Sequence, residues 1–171
     1  MKSKVNALIL SGFILASMVL QSCGFYSFSG TSIPQEVKTF SVSYFDNNAP
    51  INSPLLSQTI TEGLKQKFIS ETNLSIEERN GDFDFSGEIT SFTVTPVSAQ
   101  STDNAQLNRL TIQLAVKLVC ASDDKISFEQ TFSNFQDFDA TLNFSDVEND
   151  LVEEISQMLI QSIFNKAAIN W

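Results

Sequence analysis

Hydrophobic residues recur along this chain at two spacings, one of two residues and one of three to four. The two-residue spacing is clearest over residues 107–121, where every even position from Leu110 to Cys120 is apolar and Arg109, Thr111, Gln113 and Lys117 occupy odd positions. An alternation of this length predicts a β-strand with one buried face and one face in water. Cys120 continues the buried series, so we interpret it as a small core residue rather than a reactive thiol.

Two shorter alternating runs precede this strand. Residues 37–45 place Phe40, Val42 and Tyr44 on one face of a half-buried strand. Residues 73–78 form a short candidate strand, and Asn80-Gly81 then predicts a two-residue hairpin turn into a strand that begins at Phe83. The apolar phase of that strand changes after Ile89, which predicts a β-bulge near residues 90–91.

A further strand follows over residues 125–137, where Ile126, Phe128 and Phe132 are expected to face inward. Phe132, Phe135 and Phe138 are spaced three apart, so the strand is expected to end or bulge near Asn134.

Apolar residues at helical spacing predict two amphipathic helices. The first covers about residues 54–69, with Ser53 as its N-cap and Pro54 as its first residue. The second is the longest element, and Ser145 with Glu148 forms a candidate capping box at its start. The expected apolar stripes are Leu56, Ile60, Leu64 and Phe68 in the first helix, and Val147, Leu151, Ile155, Met158, Leu159, Ile163 and Phe164 in the second.

These elements predict an α+β fold, a two-layer sandwich in which two amphipathic helices pack on one face of a mainly antiparallel four- to five-stranded sheet. The other face of the sheet would stay open. Its side chains are expected to be small and polar, namely Thr39, Ser41, Ser43, Thr111, Gln113, Ser127, Thr131 and Ser133.

The first 22 residues have the pattern of a bacterial lipoprotein signal peptide: a basic start, an apolar run and small residues before a cysteine. Cys23 is therefore the expected site of a covalent N-terminal lipid, and cleavage would precede it. We divide the chain into a signal peptide (1–22), a lipidated flexible tether (23–36) and a single domain (37–171).

Charge and composition exclude several classes of function. The sequence has 10 basic and 20 acidic residues, and removal of Lys2 and Lys4 with the signal peptide leaves a net charge of −12. Such a charge disfavours nucleic acid as a partner, because phosphates require basic side chains. The sequence contains no histidine, which removes the commonest general base and metal ligand. We expect no enzymatic activity and no cofactor or metal apart from the lipid on Cys23.

The chain resembles the lipopolysaccharide (LPS)-assembly lipoprotein family (LptE) in its Bacteroidetes form. Three segments carry the resemblance: Cys23 to Gly30 (CGFYSFSG), Leu107 to Ile112 (LNRLTI) and Ile163 to Ala167 (IFNKA). The resemblance implies an outer-membrane lipoprotein, anchored on the periplasmic side, that plugs the LPS-translocon β-barrel (LptD-type), assists its assembly and takes part in LPS transport to the outer leaflet. Gly24 fits outer-membrane sorting, because Asp is usually absent at that position.

The resemblance also implies that basic residues near strand ends contact LPS or the partner. Asn108 and Arg109 lie in the matching motif. We add Lys117, on the same strand as Arg109, and Lys125, at the start of the next strand, as further candidates. The alternative is that Arg109 and Lys117 pair with Glu88 or Glu129 on neighbouring strands. For the whole protein, an auxiliary lipoprotein of another envelope lipid or ABC transport system is the alternative function, and a small envelope hydrolase is a third.

Overall fold

The computed structural model describes residues 33–50, 53–97 and 106–169, which form six strands and two helices. The signal peptide, Cys23 and most of the tether lie outside the described residues. No helix within the described ranges is both long and apolar enough to cross a membrane. In chain order the elements are β1 (Thr39–Val42), β2 (Asp46–Asn47), α1 (Pro54–Glu71), β3 (Ser75–Ile76), β4 (Phe83–Val97), β5 (Leu107–Cys120), β6 (Phe128–Asp139) and α2 (Phe144–Ala168).

The strands form one mixed sheet in the order β3-β1-β4-β5-β6, and β2 also pairs with β4. The long strands β4, β5 and β6 are antiparallel to one another. The short strands differ, because β1 is parallel to both β3 and β4, and β2 is parallel to β4. The α+β sandwich is confirmed, whereas the expected antiparallel character holds only for the three long strands. The sheet also has six strands rather than four or five.

The connection between β3 and β4 is not the hairpin turn that Asn80-Gly81 suggests. Asn80 does adopt a left-handed conformation, with φ of 55°. However, β3 and β4 lie on opposite sides of β1, so the segment between them has to cross that strand. The backbone N–H of Gly81 donates to the Ser41 hydroxyl at 3.0 Å during this crossing. Among the described glycines none has a positive φ, so Gly81 does not complete a two-residue turn, and the predicted hairpin is wrong.

Two further phase predictions have different outcomes. The bulge in β4 is confirmed, because its register against β5 shifts between Ile89 and Ser91. The expected end or bulge of β6 near Asn134 is wrong, since β6 pairs with β5 without interruption from Phe128 to Asp139. Regular alternation places Phe135 on the opposite face from Phe132 and leaves it 45% exposed.

The end of the first alternating run also departs from expectation. Phe40 and Val42 are buried, but Tyr44 is 58% exposed and Phe45 is fully buried in its place. The β1 strand ends at Val42, and the backbone N–H of Phe45 donates to the Thr61 hydroxyl of α1. The chain thus turns toward the helix layer, which reverses the alternation.

Both helices cover the same face of the sheet, as predicted. The apolar stripe of α1 is fully buried, and the ring of Phe68 lies 5.4, 4.9 and 5.1 Å from the rings of Phe40, Phe85 and Phe164. This aromatic cluster joins β1, β4 and both helices. The even positions of β5 from Leu110 to Cys120 complete the core beneath the helices.

The helix starts show which local signals the structure uses. Ser53 occupies the N-cap position of α1, although its side chain makes no capping hydrogen bond. The capping box predicted at Ser145 is wrong, because α2 begins at Phe144 after Asn143. The Phe144 ring packs 6.1 Å from Phe92 and 5.8 Å from Phe138. The α2 helix therefore begins one residue before the predicted cap at Ser145, and its first residue packs against the sheet.

Candidate interaction site on the open sheet face

The sheet surface opposite the helices carries Arg109 and Lys117, two of the residues that the sequence singled out. We define the open face by the odd positions of β5 and their neighbours on β4 and β6. Three cross-strand rows run from its centre toward the start of β5: Ser91, Gln113 and Ser133; Thr93, Thr111 and Phe135; Thr95, Arg109 and Asp137. Except for Phe135 and the ion pair between Arg109 and Asp137, the side chains in these rows are uncharged and polar.

The open face does not extend over β1. Ser41 was expected to be exposed there, but only 1% of its surface is accessible, because the segment before β4 crosses over it. Its hydroxyl donates to the Asp84 carboxylate. The neighbouring Asp82 carboxylate accepts hydrogen bonds from the backbone N–H groups of Lys38 and Thr39, at 2.8 and 2.9 Å, and these bonds lower the pKa of Asp82. Asp82 and Asp84 therefore anchor the crossing segment.

Arg109 is held in one geometry by two neighbours on β6. Its Nε and Nη2 atoms donate to the two carboxylate oxygens of Asp137, at 2.7 and 2.9 Å. Its guanidinium carbon also lies 3.7 Å from the centroid of the Phe135 ring. The hydrogen bonds raise the pKa of Arg109 and lower the pKa of Asp137. Pairing across strands is therefore seen for Arg109, but with Asp137 rather than with Glu88 or Glu129.

This arrangement leaves Arg109 able to bind a further group. A guanidinium has five N–H donors in a fixed plane, and the bidentate pair uses two of them. About a third of each side chain remains accessible, 34% for Arg109 and 30% for Asp137. Its remaining donors can serve an incoming acceptor, although Asp137 already offsets its charge.

The other candidate residues do not gather around Arg109. Lys117 is exposed on the same face, eight residues or about 27 Å along β5, and makes no ion pair within 4.0 Å among the described residues. Lys125 lies in the β5–β6 turn, where its backbone N–H donates to the Asp123 carboxylate at 2.9 Å. Asn108 lies on the helix side of β5, because neighbouring residues in a strand point to opposite faces. Cys23 lies outside the described residues.

Sequence reasoning missed Asp137 and Phe135 as the two neighbours of Arg109. Asp137 is 28 residues away in sequence, and only the β5–β6 register places it opposite Arg109. Ser122-Asp123-Asp124 has the composition of a turn. Counting outward from it in a regular hairpin would have paired residues near 109 and 137. The bulge that was wrongly expected near Asn134 would shift the pairs beyond it by one residue.

Comparison with known proteins assigns the chain to a family. A two-layer α+β domain with one free sheet face is a scaffold shared by many proteins, so the fold alone defines only this class. The family model described as LptE, lipopolysaccharide-assembly, matches residues 37–167, almost the whole described domain. This protein belongs to that family of non-enzymatic lipoproteins of the cell envelope. No curated protein sequence matches the chain.

Solved structures support the fold. Protein XCC0632 from Xanthomonas campestris is similar, with a TM-score of 0.55 and 14% identity over 79% of this chain and 88% of that chain. The hypothetical protein CT253 from Chlamydia trachomatis has a TM-score of 0.52 and 9% identity over 76% of this chain and 95% of that chain. At these identities the likeness concerns the fold alone.

Proposed function

We propose that this protein is an outer-membrane lipoprotein, anchored through acylated Cys23 on the periplasmic side, that plugs the β-barrel LPS translocon and assists its assembly. The observation that carries the proposal is the open sheet face of a member of the LPS-assembly family. Its two central rows are uncharged and, apart from Phe135, polar, and both described helices pack on the opposite face of the sheet. The partner would be an LptD-type barrel.

The chemistry of the open face suits the inside of a barrel. The lumen of an outer-membrane barrel is polar, because lipid-facing and lumen-facing side chains alternate along each strand. Short side chains such as Ser91, Ser133 and Thr111 allow a flat sheet to approach such a wall closely. Gln113 at the centre of the face offers both a donor and an acceptor. The helix layer would then face away from the contacted wall.

LPS contact is the second part of the proposal. Arg109 retains three N–H donors, and Lys117 is an exposed cation on the same strand. Phosphates and carboxylates are the groups that such side chains bind. We assign Arg109, Lys117, Lys125 and Asn108 as contacts with LPS or the barrel, at separate positions rather than in one pocket.

A tagged pull-down from gently solubilised outer membranes tests the partner. We expect a large β-barrel protein in stoichiometric amount after washing. Recovery of inner-membrane transporter subunits instead would favour the auxiliary transport lipoprotein. Recovery of lipid alone would contradict both.

Photo-crosslinking tests the contact face. A photo-reactive residue at Gln113 on the open face is compared with one at Gln58, an exposed glutamine on α1. We expect crosslinks to the barrel from position 113 and few from position 58. The reverse result would keep the plug but place its helix layer against the barrel wall. Absence of barrel crosslinks at both positions would contradict the plug.

A further inference from the structure

The outer edge of β6 is long and regular. This strand is the last in the sheet order, and it pairs with β5 through twelve consecutive residues without a bulge. Within residues 33–50, 53–97 and 106–169, no strand pairs with its other side. Such an edge presents a row of backbone hydrogen-bonding groups that can accept another strand.

The register shows which residues present those groups. The backbone N–H of Ala140 donates to the carbonyl of Gln106, just beyond the ends of β6 and β5. Hydrogen-bonded pairs alternate along an antiparallel ladder, so even-numbered residues of β6 bond to β5. The odd-numbered residues therefore direct their N–H and C=O groups outward, and Ser133 is the middle one of those from Glu129 to Asp137.

Over residues 130–136 the edge has none of the usual features that prevent pairing with another chain, and its charged residues, Glu129, Asp137 and Asp139, lie toward the ends. Natural edges are protected by proline, lysine, bulges or a short length. Residues 128–139 contain no proline, glycine, lysine or arginine, and residues 130–136 carry no charge. A segment of this composition, with Phe132 and Phe135 inside it, favours strand pairing. It requires a cover in the assembled protein.

Both sides of the edge can receive the side chains of an added strand. On the helix side, a groove of about 600 Å³ separates β6 from α2 and is lined by residues that include Asn134, Gln136 and Met158. On the open face, Phe135 is 45% exposed. Successive side chains of an added strand point alternately to the two faces, so one set would enter the groove and the other would lie beside Phe135.

Charge indicates what kind of strand fits. Glu129 flanks the uncharged stretch at one end, and Asp137 and Asp139 flank it at the other. Self-pairing of two copies about Ser133 would place Glu129 opposite Asp137 of the second copy, and a shift of two residues would place it opposite Asp139. Like charges directly opposite each other destabilise a strand pair. A foreign strand with basic residues at both ends avoids this repulsion.

We infer that the free edge of β6 binds an extended segment of the barrel partner by strand addition, with basic residues flanking an uncharged stretch of about seven residues. This inference rests on the proposed function. Strands in the barrel wall are already paired on both sides, so the segment belongs to a loop or a chain terminus.

The test uses the full acylated chain in outer membranes, with a photo-reactive residue at Gln136 in the groove. We expect crosslinks whose partner peptide, identified by mass, is an uncharged stretch of the barrel protein with Lys or Arg on both sides. Thr131→Pro removes an outward N–H without removing a bond to β5, and Thr131 lies outside the three rows that face the barrel wall. It should lower the crosslink yield about tenfold, whereas Thr131→Ala keeps the N–H and should change it less than twofold.

Two controls separate the possible failures. Crosslinking from Gln113 should survive in Thr131→Pro, and thermal unfolding of the purified variant should show that it is folded. If Gln113 crosslinks form but those from Gln136 are unchanged by proline, strand addition is wrong and the plug stands. Capture of a second copy, of residues 23–32 of the same chain, or of a segment without basic flanks also overturns the inference. Loss of barrel crosslinks from both positions overturns the proposed function together with it.

Discussion

Gly81 offers a sharp test of how the β3–β4 segment crosses β1. A Cβ atom at Gly81 would lie 2.5 Å from the carbonyl carbon of Phe40 and 2.6 Å from its Cα and from the backbone nitrogen of Ser41. These are backbone atoms of a paired strand, which cannot rotate away as a side chain can. Gly81→Ala would therefore push the crossing segment off β1 and weaken the bond between the Gly81 N–H and the Ser41 hydroxyl.

We expect Gly81→Ala to lower the free energy of unfolding by about 2–3 kcal/mol, the upper part of the range for overpacking a close contact. Gly63 in α1 provides the matched control. Its added Cβ would lie 2.5 Å from Cδ1 of Ile160, the end of a flexible side chain. Moving that side chain costs about 1 kcal/mol, and alanine in a helix interior gains about the same over glycine. Gly63→Ala should therefore be close to neutral.

Equilibrium urea unfolding followed by far-ultraviolet circular dichroism measures both variants. With a denaturant slope of about 1.5 kcal/mol per molar for a domain of this size, Gly81→Ala should lower the midpoint by about 1–2 M. Gly63→Ala should move it by less than about 0.5 M. Equal loss in the two variants, or a larger loss for Gly63→Ala, would refute the assignment of Gly81 to a close backbone crossing.

Four further predictions concern the ion pair, the core, the anchor and LPS. Because Arg109 lowers the pKa of Asp137 below its ordinary value of 3.8, the pair stabilises the fold above that pH, and this contribution is lost as the pH falls through the lowered value. When the free energy of unfolding is measured against acid pH, Arg109→Met should lack this loss, and an unchanged pH dependence would contradict the pairing. Leu114→Ala should cost about 3–5 kcal/mol in urea unfolding, since Leu114 is fully buried under the helices, and a cost below 1 kcal/mol would show a loose core. Cys23→Ala should release the protein from membranes on fractionation, and retention of a processed, unacylated chain would refute the anchor. Arg109→Glu should weaken binding to purified LPS by charge reversal, and unchanged binding would leave Arg109 as part of a structural pair only.

The ion pair of Arg109 bears on both roles considered for this residue, LPS contact and structural pairing. The motif around Arg109 indicated an exposed basic residue for LPS contact, and the alternative was a structural pair. The structure shows a pair that leaves donors free, so the two roles are compatible. The Arg109→Met titration and the Arg109→Glu binding measurement address them separately.

Features that depend on local periodicity could be predicted from the sequence. The burial of Leu56, Ile60, Leu64 and Phe68 follows from their spacing of four, because such residues fall on one side of a helix wherever it packs. The even positions of β5 from Leu110 to Cys120 are buried for the same reason, at a spacing of two. The bulge in β4 was also predictable, because a change of apolar phase requires an extra residue.

Features that depend on strand order were decided only by the tertiary structure. Nothing local shows that β3 and β4 flank β1, so Asn80-Gly81 suggested a hairpin and Ser41 was expected in water. The start of α2 at Phe144 depends likewise on Phe92, which is distant in sequence, and the partner of Arg109 depends on the unbroken β5–β6 register. Periodicity assigns each side chain to a face of its own element. Only the pairing of the elements decides which face is covered, which strand has a free edge and which charges meet.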